Sequence, residues 1–413
     1  MRRAPTAQPA LPADLKLGNR MQVMEVFKTG GEYTANAISE QIGLSRQTVM
    51  KAIQFFVDKG IVVSTGKGDS TSIGGKRPEL FSLAFDKFLL CIEIWPCHLR
   101  FVLLDLRFNM IDQLLLKQRL PADSGHLLST VGEISASLLQ HNQIHPDHLY
   151  GVSVSTPAIV NYQTNSLKFN SLSPAWGANI PIAEALRPYF LPETPILVEN
   201  VGKMTARSLL HKRELQDKRI LVVFSSWGVS GSFIERDRIL HGKNSLIGEI
   251  GHMILEPNDS ERCGCGGCGC FERLVSNDHL RGKVTRTIGA HPASMLNRVP
   301  MEELTVETVF AASAQGDAYA RSLVSDLARY FAMALRNITL VFDPNLVVFY
   351  GDFAHADDHF QQEFKRQLSE FQYYPEEGPF QLELDRHPIE DLDLRGSYVL
   401  LLDHIFSAPA LYE

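Results

Sequence analysis

The sequence predicts an α/β protein in which an N-terminal winged helix-turn-helix precedes a two-lobed α/β body. Three observations carry this expectation. Near the N-terminus two short amphipathic helices meet at a glycine and are followed by two short strands around a basic loop. From Lys87 onward, strands alternate with helices. Two similar buried-strand openings, KFLLCIEIW and RILVVFSS, point to a duplicated architecture of two lobes around a cleft.

At 413 residues the chain exceeds one ordinary core, so several domains are expected. The reading is a flexible Pro/Ala-rich tail at 1–14, a DNA-binding domain at 15–85, a first lobe at 86–200 and a second lobe at 201–413 whose C-terminal helices return to the first. Hydrophobic content of 45% with 21% charged residues is that of a soluble globular protein. No apolar run approaches the roughly 18 residues of a membrane span. The two arginines of MRRAPTAQPALPADLK are followed by no apolar signal core. A cytoplasmic, reducing setting is therefore expected, where clustered cysteines serve as metal ligands more often than as disulfides. The net charge of −7 is uneven: the first 85 residues hold eleven Lys/Arg against seven Asp/Glu, so +4 there leaves −11 for the rest. That imbalance places any nucleic-acid contact in the N-terminal segment.

Within that segment, NRMQVMEVFKTG spaces Met21, Met24, Val26 and Phe27 for a helix and stops on Gly30. Thr34 is a plausible N-cap for the next helix, with Ala37, Ile38 and Ile42 as its apolar stripe before the Gly43-Leu44 turn. Ser45 caps a further helix that buries Val49, Ala52, Ile53, Phe56 and Val57. Its exposed first turn, Ser45, Arg46, Gln47 and Thr48, with Lys51 one turn on, suits base-edge and phosphate contacts in a major groove. IVVSTG and PELFSL then read as strands flanking KGDSTSIGGKR, whose Lys67, Lys76 and Arg77 form a basic wing tip. A small protein-interaction domain with solvated charges is the competing reading.

In the body, KFLLCIEIW, LRFVLLDL, LYGVSVSTP, PILVEN, RILVVFSS and NLVVFYGD are buried strands, with a helix near Gly125–Asn142. The apolar spacing after Asp317 suits lobe packing or a subunit interface. HADDHF (355–360) reads as a solvated loop or helix start, and the acidic DRHPIEDLDL as surface. Cys91 sits in an apolar strand and reads as core. The notable cluster is CGCGGCGC, which holds four of the six cysteines in residues 263–270.

GEIGH (248–252) followed by C-x-C-G-x-x-G-C-F-E (263–272) resembles the signature of the ROK family of repressors, open reading frames and sugar kinases. The winged helix and the GGKRP segment (74–78) resemble those of its transcriptional regulators. The resemblance runs over nearly the whole chain and implies an actin-like ATPase body with a sugar between the lobes.

The resemblance also exposes what is missing. The first phosphate turn of such kinases is of the Asp-x-Gly-Gly-Thr type, and here it reads Glu93-Ile94-Trp95-Pro96-Cys97. Proline has no N–H to offer a phosphate. The second turn, Gly-Thr-Gly-Ile-Gly in the kinases, reads Ser226-Trp227-Gly228-Val229-Ser230. The catalytic Glu-Asn-Asp reads Glu199-Asn200-Val201, and valine cannot act as a general base. No catalytic residue is expected.

The sugar side is better kept: Asn200, Glu249, His252 and Glu272 match family positions that hold sugar hydroxyls, and Asn170 is a further candidate. His252, Cys263, Cys265 and Cys270 are the implied set for structural zinc (Zn2+), with all-soft or borderline donors and no open position. By resemblance Cys268 is the spare cysteine; a geometry using it in place of Cys270 and a redox switch are the alternatives. His252 would link metal and cleft through its two ring nitrogens.

The expected protein is a cytoplasmic transcriptional regulator, a repressor of carbohydrate genes. Its partners are double-stranded operator DNA and a sugar or sugar-phosphate effector, and it acts as a homodimer or dimer of dimers. A sugar kinase with a DNA-binding extension and a regulator controlled by a partner protein are the competing readings.

Overall fold

A computed structural model of the chain describes residues 12–68, 77–121, 123–170, 173–370, 378–408 and 411–412. The first helix, α1 (Pro12–Phe27), begins inside the stretch expected to be tail and well before Asn19. Proline is tolerated at a helix start because its missing N–H would have no intrahelical partner there. The buried face is Val23, Met24, Val26 and Phe27, whereas Met21 is exposed.

The helix-turn-helix forms as its caps predict. After β1 (Tyr33–Thr34), α2 (Ala35–Ile42) is capped by Thr34, whose Oγ1 accepts from Ala37 N at 3.1 Å. Gly43 closes it in the left-handed region at φ 72°, a conformation that L side chains resist. Ile38 is buried as expected, but Ala35 rather than Ala37 joins it, and Ile42 is only half-buried. Ser45 caps α3 (Arg46–Asp58) by accepting from Thr48 N at 3.2 Å. The wing is β2 (Val62–Lys67) antiparallel to β3 (Glu79–Leu83), and β3 also pairs with β1. The wing tip at 69–76, and with it Lys76, lies outside the described residues.

The body begins with β4 (Phe88–Trp95), β5 (His98–Asp105) and β6 (Met110–Lys117), followed by α4 (Ser124–His141) and β7 (Leu149–Thr156). A small sheet of β8 (Ile159–Asn161), β9 (Ser166–Phe169) and β10 (Ala178–Ile180), then α5 (Ile182–Leu186), precedes β11 (Ile196–Asn200). The first large sheet runs β11-β7-β4-β5-β6, parallel from β11 to β4 and antiparallel beyond. Next comes the short helix α6 (Val201–Arg207).

The second half contains β12 (Ile220–Ser225), β13 (Val229–Glu235), β14 (Arg238–Ile239), α7 (Phe271–Val275), α8 (Asn277–Thr287), α9 (Val306–Ala314) and α10 (Ala318–Phe342). Then follow β15 (Leu346–Gly351), α11 (Asp358–Ser369), β16 (Gln381–Leu384) and α12 (Ile389–Ile405). Its sheet runs β14-β13-β12-β15-β16. β12 is buried along its whole length and packs with α10 into a core that includes Leu221, Val223, Phe331 and Leu335. HADDHF is a helix start: Asp357 Oδ1 accepts from Phe360 N at 2.9 Å.

The acidic run near the C-terminus departs from expectation. It lies at the start of α12, which packs against α6, β7 and β4, and Asp393 is buried there. Ser155 Oγ donates to Asp393 Oδ1 at 2.7 Å. Burial, reinforced by the charge of Glu93, pushes the Asp393 carboxyl well above the usual range, so the neutral acid is favoured. Glu93 itself accepts from Arg100 at 2.9 Å. Among the described residues, no helix is long and apolar enough to cross a membrane.

Candidate functional site

A cleft of about 430 Å³ opens where the C-terminal ends of β7, β11 and β12 face one another. Asn200 and Val201 form its floor, and each is placed by local chain chemistry. Asn200 is the N-cap of α6: its Oδ1 accepts from Gly202 N at 2.8 Å, while its Nδ2 donates to Ala158 O at 2.9 Å. Val201, the first residue of α6, follows into the cleft. Glu199, the preceding residue, is withdrawn. Burial alone would raise its pKa, but His241 at 2.8 Å and Arg207 at 3.3 Å overcome it and hold the carboxyl down at about 2.

Polar groups face the cleft as well. Glu249, His252 and Glu272 line it together with Asn200. Burial raises the Glu249 carboxyl above its ordinary value against the opposing charges of Lys203 and His252. Asn170 is not among the described lining residues. Phe169 lines the cleft, and Asn170 is fully buried with its Oδ1 accepting from Ser173 N at 3.2 Å.

Apolar side chains complete the lining: Trp95, Phe169, Phe224, Trp227, Val229 and Leu246. Trp95 and Trp227 stand at the two turns that the resemblance matches with the phosphate turns of the kinases. In the second turn, Val229 N donates to Glu272 Oε2 at 2.8 Å, so this amide is already engaged. The single glycine left in that turn serves the same carboxylate: a Cβ on Gly228 would stand 2.5 Å from Glu272 Oε2.

Adjoining the cleft through His252 and Cys265, the ligand atoms of His252, Cys263, Cys265 and Cys270 lie within 4.8 Å of one another. Cys265 Sγ and Cys270 Sγ are 3.6 Å apart, and His252 Nδ1 is 3.6 Å from Cys263 Sγ. A disulfide needs sulfurs at about 2.05 Å. Two thiolates on a tetrahedral metal at about 2.3 Å lie about 3.8 Å apart. The residues therefore fit one metal ion, and Cys268 stands outside the set. Burial, then the Cys265 hydrogen bond, pushes the Cys270 thiol up to about 12, an environment that favours a thiolate only beside a cation. The second ring nitrogen of His252, Nε2, lies 3.9 Å from Glu249 Oε2 on the cleft side.

On the N-terminal module, Arg46, Gln47, Lys51 and Arg77 are exposed. Ser45 and Thr48 are tied to each other, with hydroxyls 2.9 Å apart, so they shape the first turn of α3 as well as facing outward.

The contacts that seat this module were not foreseen from the sequence. Lys28, just beyond the end of α1, is buried and pairs with Asp403 on α12 at 3.0 Å. His211, just beyond α6, reaches the same carboxylate at 3.0 Å and Asp237 at 3.0 Å. Phe56 of α3 packs edge-on against Tyr412, ring centroids 5.9 Å apart, and Lys59 Nζ donates to Leu411 O at 3.0 Å. One continuous core joins Phe27, Ile53 and Phe56 to Leu106, Tyr398 and Leu402. Helix α6 thus starts at the cleft and leads to the seat of the module. It crosses α12 backbone to backbone, since a Cβ on Gly396 would fall 1.7 Å from Met204 O.

Comparison with known proteins follows from this architecture. A family model described as "ROK family" matches residues 89–398. A glucokinase of Halalkalibacterium halodurans is 24% identical over 294 residues, covering 69% of this chain and 86% of that protein. The DNA-binding transcriptional dual regulator NagC of Escherichia coli is 23% identical over 343 residues, covering 82% of this chain and 81% of its own. The crystal structure of a transcriptional regulator homologous to the E. coli MLC protein superposes with a TM-score of 0.77 at 19% identity, covering 97% of this chain and 100% of that one.

Proposed function

The chain belongs to the ROK family, and from that premise we propose that it is a sugar-responsive, DNA-binding transcriptional regulator, a repressor of carbohydrate genes, without kinase activity. The observation that carries the proposal is the path from cleft to DNA reader. Asn200 caps α6 at the cleft, and the chain leaving α6 places His211 on Asp403, which also holds Lys28 of the N-terminal module. A sugar that engages Asn200, Glu249, His252 and Glu272 shifts α6 and α12 together and so re-aims α3 on its operator. The coupling has thermodynamic content only if the two placements of the module differ in sugar affinity. A homodimer presents two such modules to a two-fold operator.

The absence of phosphoryl transfer rests on the site. Val201 stands where the family's general base is expected, Pro96 removes an amide from the first turn, and Val229 N in the second already serves Glu272. Zinc held by His252, Cys263, Cys265 and Cys270 would supply a structural tie rather than chemistry, fixing the ring of His252 and the segment that ends in Glu272. The test is operator binding by the full chain with and without candidate sugars, beside an assay for ATP-dependent sugar phosphorylation. Loss of the protein–DNA complex on adding a sugar supports the proposal, and sugar phosphorylation overturns it.

A further inference from the structure

The cleft of about 430 Å³ has room for more than one monosaccharide held at Glu249, His252 and Glu272, and its apolar side chains specify what else fits. Trp95 enters from the β4–β5 turn of one lobe and Trp227 from the β12–β13 turn of the other, with Phe169 and Leu246 beside them. Trp95 is 6% exposed, whereas Trp227 is 57% and Leu246 56% exposed. One side of the occupant therefore contacts an apolar wall while its rim stays in water.

A pyranose ring has that double character, with a face of C–H groups for an indole and hydroxyls around its edge. An aryl group or a nucleobase would leave an apolar face wet. A phosphate finds no support: no lysine or arginine is among the described lining residues, and two carboxylates, Glu249 and Glu272, are. An unpaired anion beside buried carboxylates is disfavoured.

We propose that the part of the cleft lined by Trp95 and Trp227 is a second sugar-ring subsite with Trp227 as its platform, so that the effector is a neutral di- or oligosaccharide rather than a monosaccharide or a sugar phosphate. The inference rests on the sugar-sensor reading above and narrows it.

The chain has three tryptophans, and Trp176 is buried with its indole N–H donating to Pro121 O at 2.9 Å, so cleft ligands report through Trp95 and Trp227. The experiment is calorimetry with parallel tryptophan fluorescence on the full-length protein. The probes are maltose, cellobiose, sucrose, xylobiose and N,N′-diacetylchitobiose, their component monosaccharides, glucose 6-phosphate and ATP.

The expected result is that one disaccharide binds about tenfold tighter than its monosaccharides, or about 1.4 kcal/mol, with a blue-shifted emission. Trp227→Ala abolishes that advantage and leaves monosaccharide affinity unchanged, and Trp227→Phe restores part of it. Because Trp227 is exposed, its replacement leaves the core intact. A monosaccharide or glucose 6-phosphate binding as tightly as every disaccharide overturns this subsite while leaving the sensor reading standing. So does a Trp227→Ala variant that weakens both classes equally. No saccharide binding at all overturns the sensor reading and the subsite together.

Discussion

His211 Nε2 lies 3.0 Å from Asp403 Oδ1, which joins the chain leaving α6 to the last helix of the body. Asp403 Oδ1 is also 3.0 Å from Lys28 Nζ, so a single carboxylate holds both the body and the N-terminal module. Burial would lower the pKa of His211, but Asp237 and Asp403 outweigh it and raise the imidazole to about 10. The ring is therefore a cation at neutral pH.

Replacing that cation should uncouple the two ends of the molecule. His211→Ala is expected to bind sugar as the parent does while losing most of the sugar's effect on operator affinity. Allosteric couplings are commonly about 5- to 150-fold, so the loss is measurable. Parallel sugar calorimetry and operator titrations check it.

The same group sets an alkaline limit. A histidine raised on folding contributes stability that is fully present below its unfolded pKa of about 6.5 and is lost as pH rises through the folded value of about 10. Thermal stability should therefore decline between pH 7 and 9 in the parent and stay flatter in His211→Gln, as read by scanning calorimetry.

On the DNA face, Arg46→Ala and Gln47→Ala should each cost about 1–3 kcal/mol on operator DNA and relax sequence preference. Lys51→Ala should weaken all DNA alike and reduce the salt slope by about 1. Fluorescence anisotropy across a salt series separates the two behaviours.

The metal cluster predicts about one zinc per purified chain, lost in Cys263→Ser and retained in Cys268→Ser. Removing zinc should lower the melting temperature of the body, because binding energy at such a site is also folding energy. Elemental analysis with calorimetry tests both parts.

Restoring the base should not restore an enzyme. Val201→Asp is expected to show no ATP-dependent sugar phosphorylation, since Pro96 removes one amide from the first turn and Val229 N in the second is already engaged by Glu272. A coupled turnover assay on this variant checks it.

What the sequence made legible is local. Thr34, Ser45 and Gly43 act through neighbours a few residues away, and the closely spaced residues from His252 to Cys270 come together as a cluster that could hold a metal ion. What it hid is long-range. Asp393 sits in an acidic run that reads as surface, and only the return of α12 against β7 and α6 buries it. Lys28, His211 and Asp403 are far apart in the chain, so nothing in composition or period brings them together. Asn170 is a sugar candidate in the sequence, but at the end of β9 it is Phe169 that lines the cleft, while Asn170 is buried beside Ser173.

The most direct test of sugar-controlled DNA binding is the affinity of the full-length protein for its operator, titrated with the saccharide that binds the cleft most tightly. A saturable fall of about fivefold or more, absent in His211→Ala, is the predicted result. An operator affinity unmoved by a saccharide that demonstrably occupies the cleft would contradict it.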